Sequence, residues 1–132
     1  MNLNTLAYLL IMFCVGYLEG VPVSESSIEQ SKYLYKVLTK DRWVESQNKE
    51  RLILGPIDDD FIHFSEEHQL DHVIKKFFSD DQKVVVLKID VSLLKGRLVR
   101  ESNPGGSNKY FHLYEGFIPF DAVISSEVFL SH

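Results

Sequence analysis

Hydrophobic and polar positions are distributed in different ways along this chain, and each pattern predicts its own kind of element. In Tyr33-Leu34-Tyr35-Lys36-Val37-Leu38, aromatic and β-branched residues alternate as in a strand. Thr39 stands where an N-cap would open a helix from Lys40 to about Arg51, with Trp43 and Val44 turned to the core. Gly55-Pro56 breaks that segment, and Asp58-Asp59-Asp60 reads as a solvated turn into the strand Phe61-Ile62-His63-Phe64. From a cap at Ser65, the residues Leu70, Val73, Ile74, Phe77 and Phe78 recur at helical spacing.

Val84-Val85-Val86-Leu87-Lys88-Ile89 is almost uninterrupted in its hydrophobicity, which predicts a central strand covered on both faces. A turn at Asp90 and Ser92 follows, then a short strand over Leu98-Val99-Arg100-Glu101 and a loop from Ser102 to Asn108. Strands over Tyr110 to Tyr114 and Ala122 to Phe129 close the order. The element sequence βαβαββββ, without an internal repeat, predicts an α+β fold: a mixed β-sheet with two helices.

The N-terminus follows none of these patterns. Leu6 to Leu18 is a continuous apolar run, too short to span a bilayer comfortably and of the length of a signal-peptide core. The expected organisation is therefore a signal peptide over 1–20, a polar leader over 21–31 and a single α+β domain over 32–132, with a secreted, extracellular product and no stable membrane span. Cleavage after Gly16 or Gly20 would remove Cys14, the single cysteine, so no disulfide-linked partner, thiolate nucleophile or cysteine metal site is expected. A formal charge of -5 over 132 residues excludes a general nucleic-acid binder, which needs a basic surface to displace counterions from phosphates.

Chemistry-bearing residues crowd between Asp58 and Gln69. His68 and His72 have the i, i+4 spacing of two zinc ligands on one helix. Both point away from the apolar stripe and lack a third ligand, so a solvated face is expected and no metal site. The aspartate run lacks the alternation and glycine of a calcium loop. On its strand His63 shares a face with Phe61, opposite Ile62 and Phe64. That semi-apolar setting suits either a hydrogen-bonded core-edge histidine or a ligand contact. Glu101, at a strand end before Gly105-Gly106, and His112 with Tyr114 on one strand face are placed to converge with His63 on a cleft.

Several pieces taken together, in order and spacing, carry a resemblance. They are Tyr33 to Thr39 with Trp43, Asp60-Phe61-Ile62-His63-Phe64-Ser65 with Gln69 and Phe77-Phe78, Val86 to Asp90, Glu101-Ser102 with Gly105-Gly106, and His112-Leu113-Tyr114 with Asp121-Ala122-Val123. From about Tyr33 to Val128 the chain resembles the domain of unknown function 952 family, grouped by fold with the ADP-ribosyltransferase-like superfamily. The resemblance implies a split sheet with a cleft for NAD or an ADP-ribosyl group, so NAD is the implied cofactor and a nucleotide-type small molecule the implied partner. It implies catalytic roles for Glu101, which would stabilise a ribosyl cation or orient an incoming hydroxyl, and for His63. Ser65, Gln69, His112 and Tyr114 would bind ligand, with His63, His112 and Tyr114 hydrogen-bonding ribose and phosphates. The chain departs from the pattern at Tyr35-Lys36, where the superfamily has a histidine, and at Pro104, Phe111 and Glu115. A secreted binding or interaction module with a vestigial, non-catalytic pocket is the alternative.

Overall fold

The computed structural model describes residues 31–80 and 83–130. The expected signal peptide, Cys14 and all but the last residue of the polar leader lie outside them. Strand β1 (Tyr33–Thr39) leads into helix α1 (Lys40–Ser46), β2 (Ile62–Phe64), α2 (Leu70–Phe77), β3 (Lys83–Asp90), β4 (Lys95–Ser102), β5 (Lys109–Phe117) and β6 (Val123–Leu130). The expected element order is the observed one. The sheet, however, is not mixed. Two antiparallel sheets of three strands each, in the orders β1-β3-β6 and β2-β5-β4, make up the split.

The two sheets share a core because strand alternation sends one set of side chains from each into the space between them. Leu34, Leu38, Val85, Leu87 and Ile89 enter from the first sheet, and Ile62, Phe64, Phe111 and Leu113 from the second. The intervening residues Val37, Val84 and Val86 face the other way, where Val73 and Ile74 of α2 cover them. β3 is thus covered on both faces, as its continuous apolar run requires. One backbone bridge stitches the sheets together: Tyr35 and Ser65 exchange N–H···O hydrogen bonds of 2.8 Å each.

That bridge displaces the expected helix cap. Ser65 is buried against β1, and the cap belongs to Glu66, whose side chain accepts from the Gln69 backbone while Gln69 Oε1 accepts from the Glu66 N–H. A 3-10 turn over Glu67–Gln69 then feeds α2. Helix α1 stops at Ser46, short of the expected Arg51, because Gln47 is extended and Asn48 takes a left-handed φ of 65°. Ser46 is buried instead of continuing an exposed helix. Its hydroxyl donates to the Arg42 carbonyl and accepts from the Ile53 N–H, both at 2.8 Å. Trp43 packs against the core and stacks on Phe120, whereas Val44 is exposed. Among the described residues no helix is long and apolar enough to cross a membrane.

Candidate functional site

Register alone brings the expected histidines together. His63 of β2 lies directly opposite His112 of β5, which in turn faces Val99 of β4. Odd positions of β2 and β4 and even positions of β5 therefore share one face of the second sheet, with Glu101 two residues along from Val99. The His63 and His112 rings meet edge to face with centroids 5.3 Å apart, and Phe61 lies over both, 4.7 Å from His63 and 4.2 Å from His112.

Two polar nodes branch from this pair. In the first, His112 Nδ1 is 2.9 Å from Glu101 Oε1, and the Tyr114 hydroxyl donates to the same oxygen. The other ring nitrogen, Nε2, lies 2.8 Å from the end of the Asn103 side-chain amide, whose NH2 group is the donor when a neutral His112 gives its Nδ1 proton to Glu101. His112 is fully buried, both its nitrogens are engaged, and Phe61 stacks on its face. It has no atom left for a ligand. Burial pushes its pKa below 6.5, and Glu101 opposes that shift. The Glu101 carboxyl is held below its usual range by the Tyr114 and His112 hydrogen bonds, and the same contact raises the Tyr114 phenol.

The second node is centred on Asp58, which the aspartate run disguised as a solvated turn residue. Its Oδ1 receives three donors: Lys36 Nζ at 2.8 Å, the His63 backbone N–H at 3.0 Å and the His63 ring at 3.1 Å. Lys36 also donates to the His63 carbonyl at 2.8 Å. The side chains of Lys36 and Asp58 are 4 % and 3 % exposed, while that of His63 keeps 31 %. Burial works against the Asp58 charge, but His63 and Lys36 outweigh it and the carboxyl titrates below 3.8. Burial likewise lowers the Lys36 ammonium, against the attraction of Asp58.

Lys36 had a signal that sequence reasoning passed over. It stands between Leu34 and Leu38 on the core-facing side of β1, and a buried cation there demands an anion. Asp58, five residues before His63, is the one that answers.

A cleft of about 970 Å³ opens beside these nodes, bounded by β1, α1, α2 and the loop after β4. His63, Lys36, Asp58 and Ser65 line it; Glu101, His112, Tyr114 and Gln69 do not. The first node reaches the cleft only through Asn103. Asn103 is set by the turn Asn103-Pro104-Gly105-Gly106, closed by a 2.9 Å bond from the Gly106 N–H to the Asn103 carbonyl, with Gly105 at φ 79°. Proline followed by a positive-φ glycine is the type II turn signature. Gln69 is spent on structure, since its Nε2 donates to the Lys109 carbonyl at 2.8 Å and its Oε1 serves the helix cap. His68 is exposed in the 3-10 turn that precedes α2; His72, also exposed, borders the cleft together with Lys76 and Phe77.

A family model described as "Protein of unknown function (DUF952)" matches residues 37–126. Among solved structures, the crystal structure of protein CC0527 from Caulobacter crescentus is 26 % identical with a TM-score of 0.62, covering 73 % of this chain and 84 % of that one. The solution structure of the same protein is 21 % identical with a TM-score of 0.56, covering 74 % and 84 %, and shows a shared fold. No curated protein matches the chain.

Proposed function

Because the chain belongs to the DUF952 family of proteins of unknown function, we propose from its geometry that it is a binding module for a ribose-bearing nucleotide of the NAD or ADP-ribose class, with the split sheet read as ADP-ribosyltransferase-like. One observation carries the reading: His63, His112 and Glu101, expected to share a ligand, lie in one cluster through the His63–His112 ring contact, and its cleft edge is His63 and Asn103. The cleft volume suits a small molecule, and its walls combine aromatic rings, Phe77 and Tyr110, with a few convergent polar groups.

Binding without turnover is favoured because the carboxylate that would do the chemistry is occupied. Glu101 accepts from Tyr114 and His112 and lies outside the cleft lining. In this reading Glu101 and His112 hold Asn103 in place rather than touching ligand themselves. Calorimetric titration of the chain with NAD, ADP-ribose and a 2′-phosphorylated nucleotide tests this. Heat from at least one ligand is expected, with no release of nicotinamide from NAD. Silence with all three would leave an interaction module with a vestigial pocket; nicotinamide release would restore a catalytic role for Glu101.

A further inference from the structure

The Asp58 node determines more than the shape of the cleft wall. An ionised carboxylate can only accept hydrogen bonds, so each of the three groups at Asp58 Oδ1 must be a donor. His63 therefore carries its proton on Nδ1. A neutral imidazole has one N–H, which leaves Nε2 with a lone pair. No hydrogen bond among the described residues engages that nitrogen, and the half-buried ring lines the cleft.

We infer that Asp58 is a positioning residue that locks His63 in the Nδ1–H form, so that Nε2 accepts a hydrogen bond from a hydroxyl group of the ligand. This narrows the expectation that His63 serves ribose and phosphates alike. A neutral Nε2 acceptor suits a sugar hydroxyl and repels a phosphate oxygen, which also brings only lone pairs. Lys36 supports the arrangement twice, by balancing the Asp58 charge and by fixing the His63 carbonyl. The identity of the hydroxyl-bearing ligand rests on the nucleotide-binding reading. The tautomer does not.

Long-range ¹H–¹⁵N correlation spectra of the unmodified chain at about pH 8, where an ordinary histidine is neutral, read the tautomer directly. The proton is expected on Nδ1 of His63; a proton on Nε2 would overturn the inference. In the double variant Lys36→Met/Asp58→Ala the proton should move to Nε2, and its persistence on Nδ1 would remove Asp58 from the role. Ligand titrations then test the acceptor. Asparagine at 63 can keep the Asp58 contact but has no acceptor at the Nε2 position, whereas glutamine reaches it. His63→Asn should weaken ADP-ribose binding about tenfold and His63→Gln should recover most of that loss. Equal affinity in both variants and the parent would overturn the hydroxyl contact. If the parent chain binds no nucleotide, the proposed function and its hydroxyl contact fail together, while the spectra still decide the role of Asp58.

Discussion

The two polar nodes that meet under Phe61 are built from the same parts, a carboxylate and a histidine, yet they end in opposite conditions. Around Glu101 every hydrogen-bonding atom of the histidine is used: His112 is sealed between Phe61, Glu101 and Asn103. Around Asp58 the histidine keeps one nitrogen free, because its ring meets the carboxylate through Nδ1 alone and no hydrogen bond among the described residues reaches Nε2. Availability to a ligand is thus decided by unused hydrogen-bonding capacity and exposure rather than by residue type. A histidine with two partners is structure; one with a single oriented partner is a tool.

The sharpest way to break this contrast is to remove Asp58. Asp58→Ala strands the Lys36 ammonium in the core and should cost about 3–5 kcal/mol in urea denaturation, since an unpaired buried charge has lost both water and partner. The double change Lys36→Met/Asp58→Leu should recover most of that. A single-variant loss below about 1 kcal/mol would mean that water reaches the node, and the contrast would collapse. Next in size, His112→Ala should cost about 3 kcal/mol, combining an emptied ring volume with two lost hydrogen bonds.

The pH dependence of stability separates the nodes. His112 has a folded pKa depressed below 6.5, so its contribution is fully present above 6.5 and is lost as the pH falls through the folded value, because the unfolded chain takes up the proton first. Asp58 is depressed below 3.8 and acts in the same direction at lower pH. Unfolding free energy should therefore fall in two successive steps on acidification. His112→Ala should abolish the upper step and, by removing one of the hydrogen bonds that hold the Glu101 carboxyl low, trim the lower one while leaving the Asp58 part of it. The smallest effect is expected from His68→Ala/His72→Ala, a change of no more than about 0.5 kcal/mol, as both rings are exposed. A larger loss would show that His72, at the cleft border, shares in the polar framework.

Much of the fold was legible because burial imposes a period. The runs at Tyr33 to Leu38 and Val84 to Ile89 read as strands, and the stripe from Leu70 to Phe78 as a helix, since each period is a property of neighbouring residues. The convergence of His63, Glu101 and His112 was expected from strand ends and family resemblance, and β2-β5-β4 pairing brings them into one cluster. Their division between cleft and interior was not legible. Nothing local distinguishes His63 from His112, because which ring Phe61 seals depends on packing across three strands.

Asp58 marks the boundary most clearly. Beside Asp59 and Asp60 it reads as one more solvated acid, and its neighbours are indeed exposed. Only the approach of β1 places Lys36 over it, from 22 positions away in the chain. The sequence by itself determined the order and type of the elements, because hydrophobic periodicity is a local record of which face is buried. Tertiary structure alone decided which carboxylate is buried, which histidine it orients and which ring nitrogen stays free, because hydrogen-bond partners in a low-dielectric interior are chosen by register between distant strands.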